Sequence, residues 1–333
     1  MTKNMNRMIR RGIAVTMGAV IAVAAPHAAA QRDAAAAFPE RPLRLIVPFA
    51  PQGPNDVLAR LVGVKLTEVW GQQVVIDNRA GAGTIIGTAL LGRAPPDGHT
   101  LLMISASTAV NPSLKKKLPY DTRKDLVPVV QLASSPTVLV VHPTVKAASI
   151  AELLALAKAS PGALTYASGG TGTTTHLAGE LLAITGGVKW THVPYKGTGP
   201  ANIDLLGGRV SGMFGTILPV LPHIKTGKMR ALGVTSLKRS PALPDVPAVA
   251  ESLPGFEVVS FFGVAAPAGT PKAVQTKLNR ELARIITAPE MRENLSKQGT
   301  DAVGDTQAEF IAFFNREMVK WAKVIKSAGI EAD

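Results

Sequence analysis

Cysteine is absent from all 333 residues of this sequence, and aromatic residues make up only 5% of it. Without cysteine, the chain has no disulfide, no thiolate nucleophile, no thiol for lipid attachment and no cysteine ligand for zinc. The low aromatic content disfavours a protein that stacks on nucleic-acid bases or sugars. Five histidines follow position 30, but their spacing is not that of metal ligands, so no metal site is predicted.

After the N-terminal segment, the sequence also lacks an apolar run of the roughly 20 residues needed to span a membrane. The first 30 residues combine a basic start with an apolar stretch at 12–25 and small residues at 28–30. This order predicts a secretory signal peptide at 1–30, and a membrane anchor is the weaker alternative. Arg10-Arg11 leaves twin-arginine export open beside the Sec route. The mature protein is therefore predicted to be soluble and periplasmic.

The formal charge is +13 for the whole sequence and +9 once the four basic residues of the signal peptide are removed. In a cytoplasmic protein, such a charge would suggest nucleic acid as a partner. Export argues against this, so no nucleic-acid partner is expected. The remaining charge either favours the approach of small anions or is a solvated surface without a role.

Hydrophobic residues at 46% and charged residues at 18% are typical of a globular chain, and the length is enough for two domains. After residue 38, strand and helix patterns alternate, with Asn55 or Asp56 as the predicted N-cap of the first helix. This alternation predicts an α/β fold whose ligands gather at the carboxyl ends of parallel strands. The elements predicted in this first unit are strands at 43–47, 74–76 and 101–104 and helices at 56–69 and 84–91.

A second α/β unit follows, and the chain ends in helices, the last of which begins at a capping box formed by Thr306 and Glu309. The apolar stripe of that last helix is interpreted as packing against the first sheet. Because the final helices bring no strands of their own, we expect the chain to leave the first domain along 137–141 and to return along 258–264. Two consecutive domains are the alternative. The predicted domains are 38–137 with 260–333, and 138–259.

Two loops rich in glycine or hydroxyl groups are candidate sites. Gly81-Ala82-Gly83 is followed by Gly87, a spacing one residue too long for a dinucleotide fingerprint, so no nucleotide or other cofactor is predicted. The stretch 166–176 carries six hydroxyls between a strand and a helix, which suits a carboxylate. A hydrolase with Ser168 as nucleophile is the alternative, but no G-x-S-x-G elbow surrounds it and no histidine-plus-acid pair is assignable.

Several ordered motifs resemble the Bug family, the TctC-like solute-binding receptors of tripartite tricarboxylate transporters, over essentially the whole mature chain. The motifs that carry this resemblance include Arg44-Leu45-Ile46-Val47-Pro48-Phe49-Ala50-Pro51, Pro96-Asp97-Gly98-His99-Thr100, Asn111-Pro112-Ser113-Leu114, His176-Leu177-Ala178-Gly179-Glu180 and His192-Val193-Pro194-Tyr195-Lys196-Gly197.

This resemblance implies a type II periplasmic binding protein of the Venus-flytrap kind, with two α/β domains joined by two crossing strands. It also implies a small carboxylate ligand and membrane permease subunits as partners. We expect the protein to be a monomer without catalytic activity. A periplasmic sensor with a signalling partner is the alternative role. The predicted ligand-binding residues are Gln52, Asn55, Asp56, Gly81, Ala82, Gly83, Thr84, Ser105, Ser107, Ser168, Gly170, Thr171, Thr173, Thr174, Tyr195, Gly215 and Thr216.

The sequence departs from the family pattern at two positions. The usual Pro-Gly-Gly loop is Pro51-Gln52-Gly53 here, which adds a side-chain amide. Gly215 stands where family members often carry Asp after a Phe, so a contact to a ligand ammonium group is not expected.

Overall fold

The computed structural model describes residues 37–49, 51, 53–195, 198–297 and 299–330, and only the backbone of residue 218. The predicted signal peptide at 1–30 and Gln52 lie outside these residues. The strands are β1 (Leu43–Val47), β2 (Val74–Asn78), β3 (Thr100–Ser105), β4 (Leu126–Val141), β5 (Thr165–Ser168), β6 (Thr191–Pro194), β7 (Gly212–Thr216), β8 (Arg230–Val234), β9 (Val259–Pro267) and β10 (Asp301–Ala302). The helices are α1 (Pro54–Trp70), α2 (Ile85–Gly92), α3 (Ala106–Leu114), α4 (Ile150–Ala159), α5 (Thr174–Gly186), α6 (Thr198–Leu206), α7 (Ile217–Lys225), α8 (Val249–Ser252), α9 (Lys272–Ile286), α10 (Pro289–Lys297) and α11 (Gln307–Ala328).

The strands form one continuous sheet in the order β2-β1-β3-β9-β4-β7-β5-β6, and β8 and β10 also pair with β4. β1 is parallel to β2 and β3, and β5 is parallel to β6 and β7, as the alternating pattern predicts. β9 and β4 run antiparallel between these two parallel groups. We call the half around β1–β3 the first lobe and the half around β5–β8 the second lobe.

β4 joins the two lobes. Its first part pairs with β9 as far as Pro136, whereas Thr137–Val141 pairs with β7 and β8 of the second lobe. The chain returns just before β9, where the N–H of Val258 donates to the carbonyl of Thr235. The predicted double crossing is therefore confirmed. The strand itself is longer than predicted, because proline and polar residues in its first part break the apolar pattern that signals a strand.

Helix α1 begins earlier than the sequence pattern indicates. Its N-cap is Gly53, and Pro54 occupies the first helical turn, where a missing N–H is tolerated. The predicted N-cap at Asn55 or Asp56 is wrong. Since Pro54 has no N–H, and the N–H groups of Asp56 and Val57 both donate to the Gly53 carbonyl, this helix start offers few free donors to an anion.

The last helix, α11, packs against both lobes. Its capping box at Thr306 and Glu309 is confirmed. Phe310 and Phe314 lie in an apolar cluster with residues of β1, β3 and β9, but Trp321 lies in a cluster with residues of β4, α5 and β7. The prediction that its stripe packs against the first sheet is confirmed for the first half of the helix and wrong for the second half, because 22 residues extend roughly 33 Å, farther than one lobe requires.

Candidate functional site

A cavity of about 460 Å³ lies between the two lobes, and we call it the inter-lobe cavity. Pro48, Phe49 and the turn at 80–84 form one wall, together with residues of α3 and the residue after it. The loop at 171–173 forms the wall on the second lobe. The predicted ligand-binding residues that line this cavity are Gly81, Ala82, Gly83, Thr84, Ser107, Thr171 and Thr173.

The turn on the first lobe has an unusual backbone. Ala82 and Thr84 have φ angles of 47° and 80°, and they are the non-glycine residues with positive φ in the described part of the chain. Such a conformation costs on the order of 1–3 kcal/mol per residue and is concentrated at ligand clamps and active sites. The Nδ2 of Asn111, on α3, donates to the Gly83 carbonyl at 2.9 Å and to the Thr84 Oγ1 at 3.1 Å. Asn111 therefore holds the strained turn in place.

The wall on the second lobe is the start of α5. Thr173 is the N-cap of this helix, and its Oγ1 accepts from the N–H of His176 and donates to the Gly170 carbonyl at 2.7 Å. Thr175 Oγ1 accepts from the N–H of Gly169 at 2.9 Å. The hydroxyls predicted as ligand donors therefore also hold the loop itself, while the exposed Thr171 lies beside the cavity.

Ser168 lies directly behind this loop and is completely buried. Its Oγ is 2.7 Å from the Nε2 of His192 and accepts from the N–H of Gly170 at 3.1 Å. The His192 ring stacks on that of His176, with ring centroids 4.0 Å apart. Burial lowers the pKa of His192 to about 4, and burial together with the charge of His192 lowers the pKa of His176 to about 4. Both rings are therefore neutral at pH 7.

The contact between Ser168 and His192 was not predicted from the sequence, which does not show that β5 and β6 are adjacent. Glu180 lies 3.7 Å from the Nε2 of His176, and no ion pair of His192 with a carboxylate occurs among the described residues. The hydroxyl of Tyr166 donates to Glu180. The pKa of Tyr166 is raised, mainly by burial and to a smaller extent by the Glu180 carboxylate. The cluster is thus a buried hydrogen-bond network without the arrangement of a catalytic triad.

A second cavity of about 400 Å³ lies near the crossing strands. It is lined by Asn55 and Thr216, both predicted, and by Ser135 and Ser260, which the sequence analysis did not select. The Oδ1 of Asn55 is buried without a hydrogen-bond partner, an arrangement that costs about 1–3 kcal/mol.

Asp56, also predicted to bind ligand, faces the protein interior. Asp56 is 2% exposed. Its carboxylate accepts two hydrogen bonds from the Arg60 guanidinium, at 2.9 and 3.0 Å, and one from the Nδ2 of Asn78, at 2.9 Å. The geometry gives it a role in holding α1 against β2.

The remaining predicted residues line neither cavity. The Tyr195 hydroxyl donates to Asp204 at 2.7 Å, and Gly215 is buried in β7 opposite Val138. Ser105 caps α3, and its Oγ is buried without a partner. Gly170 and Thr174 belong to the loop and the first turn of α5 behind the lining residues.

The sequence analysis missed several residues that line the inter-lobe cavity. Asn111 and Leu114 lie in a motif shared with the family, and that signal was sufficient to include them. Gly172 lies in the selected loop, and its Cα faces Leu114 so closely that an added Cβ would lie 2.6 Å from the Leu114 Cδ2. The two lobes therefore meet at this point.

The electrostatic character of the inter-lobe cavity favours an anion. Among the described residues that line it, none is acidic and one, Lys115, is basic. The other polar groups of these residues are those of the peptide backbone, hydroxyls and the amide of Asn111. No group of three or more His, Cys, Asp or Glu residues suited to a metal ion occurs in the described ranges. None of the helices described is long and apolar enough to cross a bilayer.

A two-lobed α/β fold with two crossing strands and a cavity between the lobes defines the class of type II periplasmic binding proteins. The family model described as the tripartite tricarboxylate transporter family receptor, TctC, matches residues 58–330. The chain belongs to this family.

Three comparisons illustrate the relationship. Protein BugT of Bordetella pertussis is 38% identical over 98% of this chain and 98% of its own. The solved structure of R. palustris Rpa4515 with adipate has a TM-score of 0.78 and 35% identity, covering 88% of this chain and 99% of that one. The solved structure of MatC from Rhodopseudomonas palustris with bound malate has a TM-score of 0.74 and 31% identity, covering 86% of this chain and 100% of that one.

Proposed function

We propose that this protein captures a small organic carboxylate in the inter-lobe cavity and delivers it to a membrane permease. The observation that carries this proposal is a cavity lined from both lobes by peptide groups and hydroxyls, with Lys115 and without an acidic side chain. Relatives with bound adipate and malate support the same class of ligand. Both are dicarboxylates, and the cavity volume of about 460 Å³ leaves room for an acid of this size with bridging water.

Affinity depends on closure of the lobes. A Kd of 1 µM corresponds to about 8 kcal/mol, whereas one helix N-terminus contributes only about 0.3–2 kcal/mol to an anion. Groups from both lobes must therefore act together on the ligand, and water must leave the cavity. We assign residues 38–137 and 260–333 to one domain and 138–259 to the other, with closure about the two crossing strands.

We further propose that the protein is exported, acts as a monomer in the periplasm and performs no catalysis. The family membership supports the location and the partnership with permease subunits of a tripartite tricarboxylate transporter. The complete burial of Ser168 supports the absence of turnover, because a nucleophile must reach its substrate. The absence of acidic residues from the described lining of the inter-lobe cavity supports a ligand that needs no ammonium group.

The test is a thermal-shift and calorimetry screen of the chain from residue 31 onward. The panel contains adipate, malate, citrate and benzoate, the diamide of adipate, and the amino acids glutamate and lysine. We expect at least one acid to stabilise the protein, by about 2.7 kcal/mol when its concentration is 100 times Kd. Adipamide should have no effect. Stabilisation by lysine and by none of the acids would contradict the proposal.

A matched pair of variants locates the site. Thr171→Val removes a hydroxyl beside the inter-lobe cavity at nearly constant volume, and Thr185→Val removes one that donates to the carbonyl of Leu181 on the far part of α5. We expect weaker binding of the selected acid only in Thr171→Val. Equal affinities in both variants would place the ligand elsewhere.

A further inference from the structure

The loop at 169–173, which we call the ligand loop, packs on four side chains of the second lobe: Tyr166, His176, Glu180 and His192. Parallel pairing of β5 with β6 places Tyr166 opposite His192, and one turn of α5 separates His176 from Glu180. The centroid of the Tyr166 ring is 4.9 Å from that of His192, whose ring in turn stacks on His176. His176 is buried and His192 is half-buried between β5, β6 and α5, beside the loop.

Two main-chain N–H groups of the loop donate to this cluster. The N–H of Gly172 donates to the Nδ1 of His176 at 3.1 Å. The N–H of Gly170 donates to the Ser168 Oγ, which in turn lies beside His192. Gly172 lies between Thr171 and Thr173, which both line the inter-lobe cavity, so the bond to His176 fixes the part of the loop nearest the cavity.

We infer that His176 is a positioning residue of the ligand loop: its unprotonated Nδ1 accepts the amide proton of Gly172 and thereby fixes the peptides that face the inter-lobe cavity. His192 fixes the Gly170 end of the same loop through Ser168. The effect on ligand affinity rests on the proposed function, whereas the fixing of the loop does not.

The geometry determines the tautomer of His176. A proton on Nδ1 would point at the N–H of Gly172, so the ring proton belongs on Nε2, which faces the Oε1 of Glu180 at 3.7 Å. The lowered pKa of His176 agrees with a neutral ring, because burial beside His192 disfavours its charge. If His176 served only packing, the Gly172 N–H would not determine which of its ring nitrogens carries the proton.

Thr173 holds the Gly170 end of the loop, and the bond to His176 holds Gly172 itself. Gly172 has a φ of 78°, and the packing neighbour of its Cα across the cavity is Leu114, on the other lobe. When the lobes separate, the His176 bond remains within the second lobe. The loop then keeps its shape in the open state, which lowers the entropic cost of ligand binding.

Three variants separate positioning from packing. His176→Phe keeps an aromatic ring but has no acceptor. His176→Asn loses most of the ring but places Oδ1 near the position of Nδ1. His223→Phe is the control, because His223 lies in the last turn of α7, away from the loop. If His176 positions the loop, the protection of the Gly172 amide depends on the hydrogen-bond acceptor and persists in His176→Asn. If His176 serves only packing, that protection depends on the ring and persists in His176→Phe.

The experiment uses the ligand-free protein at pH 7. Long-range 1H–15N NMR of the wild-type protein should show His176 neutral with its proton on Nε2. The signal of His176 is assigned by its loss in His176→Asn. Exchange of the Gly172 amide should accelerate roughly tenfold in His176→Phe, the equivalent of one hydrogen bond, and stay near wild type in His176→Asn and His223→Phe.

A proton on Nδ1, a charged ring, or equal exchange rates in the Phe and Asn variants would overturn the inference. Failure of every acid in the screen to bind would contradict the proposed function instead, since neither NMR measurement involves a ligand.

Discussion

The Oγ of Ser168 and the Nε2 of His192 lie 2.7 Å apart on neighbouring strands of the second lobe. In a hydrolase, such a pair would be a nucleophile and its base, but here the serine is completely buried and also accepts from the N–H of Gly170. The pair links a strand to the ligand loop.

Ser168→Ala should therefore lower stability without affecting any chemistry. Removing the hydroxyl leaves the Gly170 N–H and the His192 ring without this partner, and we expect a loss of about 1–3 kcal/mol in the free energy of unfolding. Urea denaturation measures this loss. Hydrolysis of p-nitrophenyl acetate should be equally slow with both proteins, and an esterase activity present in wild type and absent from the variant would contradict our interpretation.

Asp56→Asn tests the role of the buried carboxylate in α1. The substitution removes the charge that accepts from Arg60 and Asn78, so we expect a loss of about 1–3 kcal/mol in unfolding free energy. Chemical denaturation at pH 7 provides the measurement. Glu293→Gln, in an exposed ion pair with Lys297, is the control and should change little. Unchanged stability together with lost ligand binding would show that Asp56 serves the ligand instead.

Asp305 should make stability depend on pH. Burial, as the main cause, raises its pKa to about 6, against an ordinary value of 3.8, although the N–H of Gln131 donates to its Oδ1. Between pH 4 and 6, the folded protein binds more protons at this residue than the unfolded chain, so its contribution to stability falls as pH rises.

Asp305→Asn keeps the acceptor oxygen and removes the titration. We expect the variant to be more stable than wild type above pH 6, with the difference vanishing below about pH 4. Urea denaturation at pH 4, 5, 6 and 7 checks this, with Asp245→Asn, at an exposed carboxylate, as control. A constant difference across this range would contradict the prediction.

Gly172→Ala should impair closure of the lobes. Its φ of 78° disfavours any residue with a Cβ by about 1–2 kcal/mol, and the added carbon would also lie 2.6 Å from the Leu114 Cδ2 across the cavity. Gly227→Ala, with a φ of 69° and no atom within 4 Å, carries the same backbone strain alone. Both variants should lose similar stability, but calorimetry with the acid selected in the screen should show weaker binding only for Gly172→Ala.

Local patterns predicted much of the fold. The strand at 43–47 is correct to the residue, because a short apolar run ends there at a proline and is followed by a helical pattern. The capping box at Thr306 is also correct, since its two side chains satisfy neighbouring N–H groups whatever the rest of the chain does. The predicted start of α1 was wrong because Pro54, which lies directly before the predicted cap at Asn55 or Asp56, is itself suited to the first turn of a helix.

The alternation of strands and helices and the loops that carry glycines and hydroxyls were predictable, since each follows from periodicity and residue type within a few positions. The double crossing was one of two topologies that the sequence left open, and the pairing of β4 with strands of both lobes distinguishes them. The contacts of Asp56 with Arg60 and of Ser168 with His192, and the packing of α11 against both lobes, were visible only in the folded chain. These contacts join residues through the pairing of strands and the packing of helix faces. A spacing along one chain does not encode which neighbours that packing brings within hydrogen-bond distance.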